Sequence, residues 1–142
     1  MRMAKGRFAR YKNGKPHFAE CEVAIDFSSE VSSVVIDCNG HGFYRQGYIE
    51  SVPAKGYDDW KQGAKIGAEF ALLTAQAVNC HVTITQIEGL ITDTNPTIVG
   101  FASILAVWQA LEFSPSREII EQLEDRVFES WNQPDKELPI FL

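Results

Sequence analysis

Hydrophobic and polar residues change their rhythm along the chain. In FAECEVAIDF, residues Ala19, Cys21, Val23, Ile25 and Phe27 alternate with Glu20, Glu22, Ala24 and Asp26, the two-residue period of a strand with one wetted face. The alternation resumes at Val34, Ile36 and Cys38 and stops at Asn39-Gly40-His41-Gly42, after which Phe43 to Val52 reads as a third, less regular strand. Upstream, Asn13-Gly14 lies between two short runs and is a strong hairpin signal, so residues 6 to 27 are expected to open as a hairpin. Together these segments predict an antiparallel meander. From Gly56 the period lengthens. Trp60, Ala64, Gly67, Ala71, Ala75 and Val78 form one helical stripe that Asn79 ends, with Asp58 and Asp59 in the first turn, where the helix dipole favours acids. CHVTIT then returns to strand, with Cys80, Val82 and Ile84 on one side and His81, Thr83 and Thr85 on the other.

The polar turn ITDTNPT leads into Ile98 to Leu111, 14 residues that are apolar apart from Ser103 and Gln109. Asn95-Pro96 is an N-cap followed by the residue best suited to the first helical position, so the helix starts there. Free N–H groups at such a start also suit an anion. Asp93 and Asn95 already supply acceptors, however, which favours a cap over a ligand loop. Ile98, Phe101, Leu105 and Trp108 make one stripe of this helix, and Val99, Ala102, Ala106 and Ala110 another. A helix apolar all round is sandwiched, either inside its own chain or at a subunit interface, and a homodimer is the expectation drawn from it. Ser114-Pro115 repeats the cap-and-proline start, and Ile120, Leu123, Val127 and Trp131 stripe an otherwise charged helix that stops before Pro134. The fold class expected is α+β, an antiparallel-rich sheet packed by helices plus a C-terminal amphipathic helix, in one domain over residues 1–142. Its parts are a basic arm or hairpin over 1–17, a core over 18–113, the last helix over 114–132 and an apolar tail, ELPIFL, within 133–142.

Composition sharpens this picture where charge is concerned. Residues 1–17 hold Arg2, Lys5, Arg7, Arg10, Lys12 and Lys15 with no acid, while the remaining 125 residues carry 7 bases and 19 acids. These six bases are the candidate RNA contacts, and weak, salt-sensitive binding is the most they support. The other reading is an edge hairpin kept soluble by its lysines. The 14-residue apolar run falls short of the ~20 residues of a bilayer span, and the N-terminus has no secretory apolar stretch, so a cytoplasmic setting is expected. Cys21, Cys38 and Cys80 show no paired spacing and read as packed thiols.

Chemistry is sparse. Cys38-Asn39-Gly40-His41 and Cys80-His81 match no recurrent zinc spacing, and neighbouring strand residues point to opposite faces, so no metal is expected. Neither is a cofactor, since no GxxxxGK[ST] phosphate loop occurs. A catalytic reading, small hydrolase or transferase, would use His41 and Asp93, or Cys38 with His81 and Asp37, yet no nucleophile elbow accompanies them. In NGHGFYRQGY, Phe43, Tyr44, Arg45 and Tyr48 are placed to stack on bases or on a partner peptide, or else to face the core from an ordinary glycine turn.

The stretch VPAKGYDDWKQG, residues 52 to 63, resembles the fourth domain of translation elongation factor G, where an Ile-Pro pair precedes the first helix and a Gly follows at the same distance. HVTITQIEGLITDTNPTIVGFASILAVWQALEF is similar to that domain's next strand, a Gly-containing turn with an Asp, and an alanine-rich helix ending in an aromatic residue. Gly89 and Asp93 match the turn, and Phe101, Ala102 and Ala106 match the helix, the whole covering residues 20 to 113. The resemblance implies a split βαβ sandwich and a non-enzymatic binding module near the ribosome, with Thr92, Asp93 and Thr94 at the contacting tip. Thr92 stands where the family commonly has His, and the family's basic tip is missing.

Overall fold

Asn13 and Gly14 take φ of 53° and 77°, the left-handed pair that a two-residue turn needs, and join β1 (Arg2–Lys12) to β2 (Lys15–Asp26). Pairing runs from Lys12↔Lys15 out to Arg2↔Ile25, so the hairpin is longer than the sequence pattern alone marks. The computed structural model describes residues 1–43, 49–132, 139 and 141. Within β2, Ala19, Cys21, Val23 and Ile25 are all buried, as the alternation predicts. Phe27 is exposed because the strand stops at Asp26, whose carboxylate accepts from the Ser28 N–H (2.9 Å) and hydroxyl (2.6 Å) and turns the chain.

The meander does not form. β3 (Ser33–Ile36) runs parallel to β6 (His81–Leu90) in the register Ser33↔His81 to Ile36↔Ile84, and β6 is also the second neighbour of β2. Period-two alternation specifies which face a residue takes and is silent about which strand lies alongside. The crossover between the parallel pair is α1 (Asp58–Thr74), which lies on the sheet against β3 and β6. A short hairpin of β4 (Gly42–Phe43) and β5 (Ile49–Ser51) stands in place of the third strand, with β5 antiparallel to the far end of β6. The six-stranded sheet thus has the order β1-β2-β6-β5-β4, with β3 also on β6. A bulge between Glu22 and Val23 leaves Thr85 without an opposite residue. Its hydroxyl donates to the Glu22 carbonyl at 3.3 Å and carboxylate at 3.0 Å, and the extra residue shifts the inward set of β6 from Val82 and Ile84 to Ile87 and Gly89.

α2 (Pro96–Leu111) packs on β1 and β2 beside α1, and the approach is set by glycine. A Cβ at Gly67 would lie 2.1 Å from the Gly100 carbonyl oxygen, and one at Gly63 would lie 2.3 Å from that of Pro96. At this separation α2 side chains reach α1's backbone: Ser103 Oγ donates to the Ala64 carbonyl at 2.7 Å, and Trp108 Nε1 to that of Ala71 at 3.1 Å. α3 (Arg117–Glu129), followed by a 3-10 turn over Ser130–Asn132, adds Leu123 and Val127 to the core. From the tail, Phe141 packs on Gly100, and its ring lies 5.6 Å from that of Phe70 at a tilt of 44°. The apolar helix is therefore covered by its own sheet, helices and tail. That answers the choice between intramolecular and subunit burial for α2, and removes the motive for a dimer through this helix.

Two helix ends differ from the sequence expectation. α1 stops at Thr74, because Gln76 and Asn79 adopt φ of 54° and 59°, and Val78 is left 72% exposed. α3 is capped by Ser116 rather than Ser114, its Oγ accepting from the Ile119 N–H at 3.2 Å.

Candidate functional site

At the turn after β6, both ends of the Asn95 amide are occupied. Its Oδ1 accepts from the Ile98 N–H at 2.9 Å, and its Nδ2 donates to Ser130 Oγ at 2.9 Å. The residue is a cap that also ties α2 to the end of α3. Thr94, expected to be exposed for a partner, is instead only 3% exposed. Its hydroxyl donates to the Phe18 carbonyl (2.6 Å) and accepts from the Leu90 N–H (2.8 Å), so it fastens the turn to β2. Thr92 remains exposed and donates to Asp93 Oδ1 at 2.8 Å.

The basic arm is segregated in sequence but not in space. Arg2 lies 3.3 Å from Glu112, Lys5 lies 3.9 Å from both Glu20 and Glu22, and Arg10 lies 3.4 Å from Glu124. Arg7 sits over the Phe18 ring at 5.5 Å and Lys12 over Phe128 at 4.8 Å. Acids from the adjacent strand and helices therefore dilute the field that phosphate would need. Phe43 is exposed, not turned to the core, while Tyr44, Arg45 and Tyr48 lie outside the described residues.

Cys38, His81 and Asp37 do not come together as a catalytic constellation. Cys38 is buried, its Sγ donates to the Ile84 carbonyl at 3.7 Å, and burial pushes its thiol up to about 11; the nucleophilic form is the thiolate. His81 instead meets Ser33, Oγ to Nδ1 at 2.6 Å, at the opposite end of the β3–β6 ladder. Asp37 accepts from Asn39 Nδ2 at 3.3 Å. Asp26, across from His81 in register, is taken by Ser28, and those hydrogen bonds hold its carboxyl below the usual range. The Ser33–His81 pair thus stands on an exposed strand end without an orienting carboxylate bonded to it. His41 is exposed ahead of β4. Among the described residues no group of His, Cys, Asp and Glu is arranged to hold a metal ion.

The arrangement with unspent chemistry is at the start of α1. The pairing Glu50↔Gly89 turns Glu50 toward the helices, where it is 6% exposed. Tyr57 caps α1 in a left-handed conformation (φ 57°) and its hydroxyl donates to Glu50 Oε1. A bulky residue at positive φ is strained, and such strain persists where surrounding contacts hold it. The bond to Glu50, then burial and the carboxylate's charge, push the Tyr57 hydroxyl up to about 12. Trp60, nearly one turn later, lies 5.2 Å from the Tyr57 ring at 55°. A Cβ at Gly89 would meet Trp60 and Thr94 within 2.8 Å, so glycine opposite Glu50 is what lets the indole lie over the strand. Among the described residues, Glu50 Oε2 is buried with no hydrogen-bond partner. A cavity of about 440 Å³, lined by Glu50, Tyr57, Asp58, Asp59, Trp60 and Ile91, opens beside it. Sequence reasoning missed Glu50 and Tyr57. The strand pattern around Glu50 was irregular, and the available cue was a helix start, Gly-Tyr-Asp-Asp-Trp, with no Ser, Thr, Asn or Asp at the cap.

This end of an α+β domain, a sheet covered on one face by helices, is also where the stretches that carry the resemblance converge. No protein-family model matches the chain, and no curated protein does. Among solved structures, the chain is similar to a crystallised protein from Thermus thermophilus, with a TM-score of 0.51 and 13% identity over 92% of this chain and 21% of that one. A mevalonate kinase from methicillin-resistant Staphylococcus aureus overlaps more loosely, with a TM-score of 0.41 and 16% identity over 95% of this chain and 48% of the kinase. The chain spans about a fifth of the length of the Thermus protein, and the likeness is one of fold.

Proposed function

We propose that the protein is a non-enzymatic binding module with a fold like the fourth domain of elongation factor G, acting through protein contacts at the end where α1 begins and β6 turns into α2, in association with the ribosome. The observation that carries this reading is Glu50, which has one buried carboxylate oxygen without a hydrogen-bond partner among the described residues and lines a cavity together with Tyr57, Trp60, Asp58 and Asp59. That is an arrangement for holding a group, whereas the nucleophile of the catalytic alternative is capped by a carbonyl. The partner's contacts include Thr92, Asp93 and Phe43, with Tyr44 and Arg45 beyond the described residues. Glu50, Asp58, Asp59 and Asp93 make this end acidic, so a protein surface suits it better than a phosphate backbone, and any RNA contact stays weak and confined to the arm. A cytoplasmic setting goes with this reading, as does a dimer only through a face other than α2. Among the described residues no helix is long and apolar enough to cross a membrane.

The test is an affinity capture from the native cell, run with and without nuclease, using wild type and a Thr92→Arg/Asp93→Arg double variant. Ribosome-associated protein partners that survive nuclease and are lost with the variant are the expected result. Partners retained at full level by the variant would remove the turn from the interface.

A further inference from the structure

We propose that the cavity beside Glu50 takes the ammonium end of a lysine side chain from a protein partner, an inference that rests on the binding-module reading and names what its site takes. A buried carboxylate oxygen without a partner carries a desolvation penalty that an incoming cation removes. The other oxygen is already engaged by the Tyr57 hydroxyl. A guanidinium fork, which is satisfied by both oxygens of one carboxylate, therefore fits poorly, whereas a compact ammonium needs one. The Tyr57 and Trp60 rings, 5.2 Å apart and inclined at 55°, form a corner, and aromatic faces attract cations.

Charge at the rim points the same way. The N-terminus of a helix carries partial positive charge, which by itself would repel a cation, and Asp58 and Asp59 in the first turn of α1 offset it. Lys61, the base nearest in α1, donates to the Ala54 carbonyl at 2.9 Å. Ile91, exposed at the edge of the cavity, offers an apolar surface for the methylenes of a lysine stem. A cavity of about 440 Å³ has room for that side chain. Although the cavity is lined by carboxylates, no three potential ligands among the described residues are grouped as a metal would need, so the cation that fits is organic.

The experiment is an NMR titration that follows the Trp60 indole and Tyr57 amide signals, using the peptide acetyl-Gly-Lys-Gly-amide, its norleucine counterpart, and spermidine. The lysine peptide is expected to saturate both signals with a dissociation constant on the order of 1 mM, and the norleucine peptide to leave them unmoved. Glu50→Gln should weaken binding at least tenfold while melting no lower than wild type, which separates lost recognition from lost fold. Binding unchanged by Glu50→Gln, or none from the lysine peptide, overturns the proposal. Spermidine binding as tightly as the peptide would assign the site to free amines and overturn the peptide source. Loss of this inference alone would leave the turn around Thr92 and Asp93 to be judged by the capture experiment.

Discussion

The seam between α1 and α2 and the end of the fold around Glu50 are built from the same two layers, helix and sheet, yet they spend their polar groups differently. In the seam, glycine brings backbones together until side chains such as Ser103 and Trp108 donate to the carbonyls of the facing helix. Around Glu50 the backbone is strained at Tyr57, and a buried carboxylate oxygen has no donor among the described residues. The first region consumes its hydrogen-bonding capacity internally and so supplies stability. The second leaves a buried polar atom unsatisfied, which costs stability.

The sharpest way to break that contrast is to disturb the seam. Gly67→Val places a side chain where even a Cβ would be 2.1 Å from the Gly100 oxygen, so both helices must move apart. The expected loss is ~3 kcal/mol or more in denaturant unfolding. A loss below ~1 kcal/mol would mean that the two layers separate cheaply and that the seam is not the rigid half of the comparison.

The link from the seam to α3 is weaker. Asn95→Ala removes both the cap to Ile98 and the bond to Ser130 and should cost ~1–2 kcal/mol. Asn95→Asp keeps the cap acceptor near the positive helix end and should cost less. Thermal melts with and without phosphate check both variants, and a phosphate-dependent rise in wild type that Asn95→Asp abolishes would turn the cap into an anion site.

The smallest effect is at the strained end and shows mainly at high pH. Because folding raises the Tyr57 hydroxyl from its ordinary value of about 10 to about 12, the folded state holds its proton more tightly than the unfolded chain. The stabilisation is fully present below pH ~10 and is lost as pH rises through ~12. Tyr57→Phe should flatten stability against pH across that window. If wild type and variant lose stability in parallel, the bond to Glu50 is not what holds the loop.

The elements themselves were largely legible. Alternation in β2 identified its buried face, Asn-Gly marked the hairpin, and Asn95-Pro96 marked the start of α2, because each is a local signal that the backbone reads within a few residues. The overrun of α1 to Asn79 and the misplaced cap of α3 are errors of boundary, where left-handed residues and competing serines decide the end. The candidate site was half legible: Asp58, Asp59 and Trp60 were noticed as helix features, but Glu50 lay in an irregular strand and gave no cue.

What the sequence by itself determined was periodicity and termination: which segments are strands or helices, which faces are apolar, and that α2 must be enclosed. Only the tertiary structure decided partners. It put β6 between β2 and β3, set Arg2, Lys5 and Arg10 against Glu112, Glu20, Glu22 and Glu124, buried Thr94, and carried Glu50 to Tyr57 across Gly89. The reason is that face and period are encoded by neighbours along the chain. A contact such as β2 with β6 is fixed by which arrangement buries the apolar faces of all segments at once, and that is a property of the whole fold.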